Sequence, residues 1–244
     1  MPKYFTSKEN ITDDIINLDE ETSLHLSKVL RCRIGDTITV GDGSDLDYEC
    51  EIVEITKKCV TAKILDKHLN LNEPSVKITL YQGLPKSDKM ELIIQKCVEI
   101  GVDRIVPVKT KRSVVNWDKK ADKKAERWNK ISLSAAKQCG RGRIPEVSDI
   151  MSFDEALTDS KVCDGRLIPY ENEQKNGLKN FCENFKGKSI AVFIGPEGGF
   201  DPSEIENAVK DGVMPVTLGK RILRTETAGL VTAVILLHRL EDEI

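Results

Sequence analysis

The 244-residue sequence has no apolar run near the roughly 20 residues that a bilayer span requires, so no membrane-spanning helix is expected. It has no C-x-x-C pair. Its seven cysteines (Cys32, Cys50, Cys59, Cys97, Cys139, Cys163 and Cys182) are odd in number and scattered, which argues against both a zinc site and a disulfide framework. His25, His68 and His238 lack metal-ligand spacing, so no metal is expected. The opening residues Met1-Pro2-Lys3-Tyr4-Phe5 contain no apolar signal region, and dispersed thiols fit a reducing compartment; a cytoplasmic protein is expected. No internal repeat and no low-complexity tract occurs.

What is present is ordinary in bulk and uneven in detail. Hydrophobic residues make up 39% and charged residues 32%, a balance suited to a folded chain long enough for two domains. The formal net charge is −3, which on its face disfavours a polyanionic partner. Its distribution points the other way. Residues 1–75 carry nine Lys/Arg and fifteen Asp/Glu, whereas residues 109–143 carry twelve Lys/Arg and three Asp/Glu. A local positive excess can attract phosphates although the whole chain is acidic, because screening makes the near field decisive.

The first seventy residues read as short strands and turns. Alternating, partly β-branched runs occur at 33–40, 48–55 and 60–65, with a turn at Gly41-Asp42-Gly43-Ser44. One helix is predicted between Glu20 and Leu30, with Leu24, Ser27, Val29 and Leu30 sharing a face. The polar stretch Asn70–Pro74 marks the predicted boundary. Beyond it the period changes. Strands are predicted at 76–81, 104–108, 161–163, 166–169, 189–194 and 214–218. Helices are predicted at 88–100, 118–139, 152–159, 202–211 and 225–240. Met90, Ile93, Ile94, Cys97, Val98 and Ile100 form one helical stripe, ended by Gly101. The helix at 118–139 turns Ala121, Ala125, Trp128, Ile131 or Ser132, Ala135 and Cys139 inward, and Lys120, Lys123, Lys124, Arg127, Lys130 and Lys137 outward. Alternating strands and helices imply a mainly parallel sheet covered on both faces.

Two glycine-bearing loops follow predicted strands, where open α/β sheets place ligands. The first is Ile194-Gly195-Pro196-Glu197-Gly198-Gly199-Phe200, after which Asp201, Pro202 and Glu204 have the pattern of a capped helix start. No Lys-Ser/Thr pair follows the glycines, and the G-x-G-x-x-G spacing is missing, so neither a triphosphate loop nor a dinucleotide fold is indicated. Pro196 offers no backbone donor, which suits a neutral ligand better than a phosphate. The second loop runs from Leu218 to Gly229. Leu218, Ile222 and Leu223 could wall a flat ring such as adenine, with space at Gly219. Arg224 and Glu226 stand at the start of a helix that is apolar nearly all round, and such a helix needs burial on more than one side.

The pairing of Ile194–Phe200 with Leu218–Ala228 closely resembles the RsmE family of SPOUT methyltransferases. The resemblance continues through Lys89-Met90-Glu91, Gln95–Val102 and Ala135–Arg141. It reaches, less strongly, Val29-Leu30-Arg31 and Gly41-Asp42-Gly43, and so covers almost the whole chain. It implies a PUA-like, β-rich RNA-binding domain over residues 1–72 and a SPOUT α/β domain with a trefoil knot over 75–244, an exception to the usual absence of knots. It implies S-adenosylmethionine as methyl donor, N3 of one uridine in small-subunit (16S) ribosomal RNA as acceptor, and a homodimer. The cofactor set it implies is Ile168, Pro169, Ile194, Gly195, Pro196, Glu197, Gly198, Gly199, Leu218, Gly219, Arg221, Ile222, Leu223 and Thr225. Together with the basic segment, it places RNA contacts at Arg31, Lys89, Lys123, Lys124, Arg127, Arg141 and Arg143.

The reaction so implied is attack of a nitrogen on an electrophilic methyl group, in which alignment supplies much of the rate. Loss of the uracil N3 proton leaves an anion that a cation can stabilise; Arg224 is the first candidate and Arg221 the second. The proton goes to Glu197, to Glu226 or to water. Two other readings remain: a related knotted enzyme with another RNA target, and an RNA-binding assembly factor that kept the fold without catalysis.

Overall fold

The computed structural model describes residues 3–56, 58–113 and 121–241, with only the backbone described at 121 and 122. The chain forms two compact units: Met1–Glu73 with Ala136–Ile144, and Pro74–Ala135 with Pro145–Ile244. A stretch from the second half of the chain thus belongs to the first unit, which a single cut along the sequence cannot express.

The first unit contains strands β1 (Lys3–Phe5), β2 (Ile11–Thr12), β3 (Ile15–Asn17), β4 (Thr37–Gly41), β5 (Leu46–Ile55) and β6 (Val60–Leu69). They lie in the order β1-β4-β5-β6-β3-β2, antiparallel except for the β1–β4 pair. Ile38, Val40, Cys50, Ile52, Val60 and Ala62 are buried on one face of these alternating strands. Irregularities at Glu49/Cys50 and Ile52/Glu54 break the β5–β6 register, the device by which a long hairpin bends around its core. Helix α1 (Glu20–Leu24) starts where Asp19 accepts the Thr22 N–H at 2.8 Å.

The expected helix between Glu20 and Leu30 is present, but its second half is a π-turn over His25–Val29. The Leu30 N–H donates to the His25 carbonyl at 3.0 Å, so one extra residue enters the turn. That extra residue slips the buried face by about 100°. Leu26 fills the core, while Val29 and Leu30, expected to share a face with Leu24 and Ser27, are 66% and 46% exposed.

The second unit holds β7 (Lys77–Gly83), β8 (Arg104–Lys109), β9 (Glu146–Val147), β10 (Met151–Ser152), β11 (Gly165–Pro169), β12 (Ser189–Ile194) and β13 (Met214–Val216). Six strands run in the order β10-β8-β7-β12-β11-β13, and β9 pairs with β8. Every pairing is parallel. Ile190 to Ile194 is buried without a break, as a strand covered on both faces requires. The helices are α2 (Lys89–Ile100), α3 (Ala121–Cys139), α4 (Phe153–Asp159), α5 (Leu178–Asn184), α6 (Pro202–Lys210) and α7 (Thr225–Leu240).

Along α2 the buried residues are Met90, Ile93, Ile94, Cys97 and Val98, the expected stripe. Gly101 ends the helix at φ +118°, a backbone state that suits glycine, and a Cβ there would lie 2.7 Å from Pro74. On α3, Trp128, Ser132, Ala135 and Ala136 are buried; Lys120 of the expected outer face lies outside the described residues.

One expected strand is absent: residues 160–162 form a single 3₁₀ turn continuing from α4, which leaves Val162 84% exposed. The Ser160 hydroxyl donates back to the Leu157 carbonyl at 2.8 Å, a local bond that competes with strand pairing. The chain makes β7, β8 and then β11 before β12 inserts between β7 and β11. Strand order reverses there, and the carboxyl ends of the neighbouring strands open a crevice.

Candidate functional site

The loops after β11, β12 and β13 border two adjoining cavities. The larger, about 610 Å³, is lined by residues 169–171, 173–174, 217–223 and Ala228. The smaller, about 420 Å³, is lined by Lys89, Pro169, Glu171, residues 194–200, Ile222 to Thr225 and Ala228. They share Pro169, Glu171, Ile222, Leu223 and Ala228, so they are two lobes of one cleft. Each lies in the size range of pockets for small organic ligands.

The backbone of the first glycine loop is shaped by packing on itself. A Cβ on Gly195 would lie 3.1 Å from Gly199 and 3.2 Å from Phe200. Gly199 has φ +66°, and its N–H closes the turn on the Pro196 carbonyl at 2.9 Å. The turn leads into α6 through the predicted cap: the Asp201 N–H donates to Glu204 Oε2 at 2.8 Å, the Asp201 carboxylate accepts the Ser203 N–H at 3.1 Å, and Pro202 opens the helix.

Of the expected cofactor set, Pro169, Ile194 to Gly199, Leu218, Gly219, Arg221, Ile222, Leu223 and Thr225 all line the cleft. Ile168 does not. Its side chain is fully buried in the core behind β11, because successive residues of a strand point to opposite faces. Ile222 is 88% exposed, an aliphatic side chain held at the rim rather than in the wall.

Charge in the smaller lobe comes from three distant segments. Lys89, at the start of α2, places its Nζ 3.1 Å from Glu197 Oε1 and 3.2 Å from Glu226 Oε2. The Lys86 N–H also donates to Glu197 at 3.1 Å. Arg224 lies 4.0 Å from Glu226, with a side chain 83% exposed. Lys89, expected against RNA, is therefore a cleft residue bridging both carboxylates that were candidates for the proton acceptor.

The electrostatics of this cluster are consistent. Hydrogen bonds to Glu197 and then to Glu226 hold the Lys89 ammonium above its ordinary pKa. Partial burial pushes Glu197 upward, but its own N–H, Lys89 and the Lys86 N–H outweigh that and leave the carboxyl below the usual range. Glu226 is lowered chiefly by its own N–H, against partial burial, with Lys89 and Arg224 adding to the effect. At neutral pH the cluster is two carboxylates and two cations. Carboxylates so stabilised are poor proton acceptors.

The expected RNA contacts separate. Arg31 is exposed in unit 1, with φ 55°. Lys123 and Arg127 are exposed on α3, and Lys124 is half-buried; Arg127 donates to Glu91 at 2.8 Å. Arg141 is a correction: it is 3% exposed and grips Glu73 with two bonds of 2.8 and 2.7 Å. Arg143 is half-buried, its guanidinium being engaged by the Asp45 carboxylate. Glu73 also accepts the Gly142 and Arg143 N–H groups, and Asn70 and Asn72 donate to the Gly140 carbonyl. Both arginines hold 136–144 within unit 1, and Arg141 presents no charge outward.

Glu171, which borders both lobes, is a cleft residue the sequence reading does not include, and Lys89 lies in the cleft rather than in the RNA-contact set the resemblance implies. Position was the available signal for the first, since it follows β11 as the glycine loops follow their own strands. Among the described residues, no group of three or more His, Cys, Asp or Glu side chains is placed to hold a metal ion, and no helix is long and apolar enough to cross a membrane.

A cleft at the carboxyl ends of parallel strands, built from glycine loops without a phosphate signature, has counterparts among known proteins. The family model described as "RNA methyltransferase domain" matches residues 72–237, and one described as "RNA methyltransferase PUA domain" matches residues 18–65. The fold and site therefore define an RNA methyltransferase carrying a PUA domain.

The chain is 35% identical over 239 residues to the ribosomal RNA small subunit methyltransferase E of Bacillus subtilis, covering 94% of this chain and 93% of that protein. A crystal structure of the corresponding enzyme from Neisseria gonorrhoeae, bound to S-adenosyl methionine, superposes with a TM-score of 0.87 at 33% identity, covering 97% and 96% of the two chains. A Legionella pneumophila structure with bound cofactor SAM gives 0.86 at 31% identity, with 96% of each chain covered. The chain belongs to the ribosomal RNA small subunit methyltransferase E family.

Proposed function

We propose that this protein transfers a methyl group from S-adenosylmethionine to N3 of one uridine in 16S ribosomal RNA, acting as a knotted homodimer. The observation that carries the reading is the two-lobed cleft, in which Lys89, Arg224, Glu197 and Glu226 converge beside the glycine loop. The cleft fits the cofactor in kind: its larger lobe joins apolar Leu218 and Leu223 to the polar side chains of Glu171 and Glu173. When bound, S-adenosylmethionine supplies an electrophilic methyl group.

The chain's own residues do the rest. Arg224 is the most exposed cation of the cluster and is open to an RNA base. Its guanidinium stabilises the charge that spreads onto the uracil carbonyl oxygens when N3 loses its proton. Glu226 orients Arg224 from its partly buried position, and Lys89 keeps both carboxylates ionised. With both carboxyls lowered, neither is matched to a weakly acidic imide, so the N3 proton leaves to solvent and the cation beside the base stabilises the anion that remains. For the homodimer, the support is the half-covered apolar surface of Leu230, Val231, Val234 and Ile235 on α7, beside Leu178. The knot rests on the family resemblance, with which the insertion of β12 between earlier strands is compatible.

The test is to incubate the protein with isotopically labelled S-adenosylmethionine and small-subunit particles from cells lacking the gene, then digest and identify the labelled nucleoside. 3-Methyluridine at one site is expected. Label on another base or another atom of uridine would overturn the acceptor assignment.

A further inference from the structure

Gln82, at the end of β7, is completely buried, and its amide makes an uneven set of bonds. Nε2 donates to Thr225 Oγ1 at 2.9 Å and to the Gly83 carbonyl at 3.0 Å. Oε1 is buried and has no hydrogen-bond partner among the described residues. An unpaired buried carbonyl is costly, and rotating the amide would lose both bonds for at most one gained, so the side chain has a demanding reason to be there.

Thr225 supplies that reason. Its hydroxyl has one proton, which it gives to the Gly195 carbonyl at 2.6 Å. Because that proton is committed, the partner across from it must be a donor, and Gln82 Nε2 is one. The three groups form a directed chain, amide to hydroxyl to carbonyl, in which each bond polarises the next. Its end point is the peptide between Gly195 and Pro196. Proline has no N–H, so the carbonyl is the polar handle by which this peptide plane can be fixed. The Gly195–Gly199 turn that borders the smaller lobe starts from that plane.

Packing supports the same conclusion. A Cβ on Gly83 would lie 2.7 Å from both Pro196 N and Pro196 Cδ, so the end of β7 touches the start of the loop directly. Gly229, one turn into α7, gives similar access: a Cβ there would lie 3.5 Å from Leu80 and 3.6 Å from Gln82 Oε1. The end of β7, the glycine loop and the first turn of α7 meet at a single hydroxyl.

We infer that Gln82 is a positioning residue for the cofactor cleft, acting through the Thr225 hydroxyl to lock the Gly195–Pro196 peptide in its binding orientation. Thr225 in turn serves as a relay rather than as a ligand contact. This rests on the reading of the cleft as the S-adenosylmethionine site. It assigns the cofactor set a member that is fully buried and belongs to a different strand.

The experiment compares the full-length wild type with Gln82→Met, Thr225→Val, Thr225→Ser and the Gln82→Met/Thr225→Val pair. Calorimetry measures S-adenosylmethionine affinity, and steady-state assays separate KM from kcat. Loss of one link is expected to weaken binding about fivefold, the scale of one net hydrogen bond. KM for the cofactor rises by a similar factor, and kcat at saturation is retained. Thr225→Ser, which keeps the relay, recovers most of what Thr225→Val loses. The double variant binds no more weakly than the worse single one, because either change breaks the same chain.

Affinities equal to wild type, with only the melting temperature lowered, would reduce Gln82 to a packing role and overturn the inference. So would losses in the double variant that multiply. If Gln82→Met does not fold, the contrast between Thr225→Val and Thr225→Ser decides alone. A wild type that binds no S-adenosylmethionine would instead sink the cofactor reading, a result distinct from the failure of the relay.

Discussion

The two-lobed cleft and the basic segment 109–143 use charge in opposite ways. In the cleft, ionic groups dispersed along the chain are gathered: Lys89, Glu197 and Glu226 come from three elements and meet within 3.2 Å. In the basic segment, charges crowded in sequence are dispersed onto distant acids. Arg112 reaches Asp201, Arg127 reaches Glu91, Arg141 reaches Glu73 and Arg143 reaches Asp45. A local excess of one sign is thus a poor guide to the field the folded surface presents, whereas a glycine loop after a strand is a good guide to a cleft. The reason is range. Backbone shape is set by neighbours in sequence, but the net field depends on every carboxylate the fold brings near.

The comparison can be broken most forcefully at Arg141. Arg141→Ala is expected to destabilise the first unit by about 3–5 kcal/mol, because Glu73 would be left ionised and poorly compensated. Urea unfolding followed by circular dichroism checks this, and a change under 1 kcal/mol would return Arg141 to the pool of outward-facing charges. The same pair sets a pH dependence. Burial pushes Glu73 up, but Arg141 and the two backbone N–H groups overcome it and lower its pKa. A lowered folded-state value gives stability that is full above the unfolded glutamate pKa of about 4.3 and is lost as pH falls through the folded value. Stability should therefore decline on acidification from about pH 5, and Arg141→Ala should flatten that decline.

In the cleft, Arg224→Ala is expected to reduce methyl transfer by about 10²–10³-fold while leaving cofactor affinity unchanged. Single-turnover assays with calorimetric controls distinguish the two quantities. Lys89→Met comes next, with transfer lowered about tenfold, the cost of removing the ammonium that two partly exposed carboxylates share. Because the cluster keeps its charges through neutral pH, the wild-type rate between pH 6 and 9 should follow ionisation of the uracil imide, not of Glu197 or Glu226. A bell with an acid limb near neutrality would contradict that. The smallest effect belongs to α3: neutralising Lys123 and Arg127 should lower the slope of RNA affinity against salt by about one to two. An unchanged slope would take α3 off the RNA surface.

Much of the cleft was legible beforehand because its features are local. The Asp201-Pro202-Ser203-Glu204 cap, Gly101 behind the α2 stripe, and the two loops all depend on a few adjacent residues. What escaped was of two kinds. Phase within an irregular helix was one: nothing in His25–Val29 announces a π-turn, so the face expected to join Leu24, Ser27, Val29 and Leu30 is broken by it. Long-range pairing was the other. Arg141 and Glu73 are 68 positions apart, and Gln82 and Thr225 are 143 apart. No periodicity connects such partners. The two-residue strands β9 and β10 are too short to carry an alternation at all.

The return of residues 136–144 to the first unit also bears on how this protein can be divided and recombined. A fragment ending at Glu73 would contain every strand of the first sheet and still be chemically incomplete. Glu73 would lose the guanidinium and two N–H groups that satisfy it, Asp45 would lose Arg143, and Asn70 and Asn72 would lose the Gly140 carbonyl they share. The PUA-type module is therefore not a transferable cassette. Its last structural component is encoded after α3, so the ribosome must synthesise more than half of the chain before the first-encoded domain has all its parts.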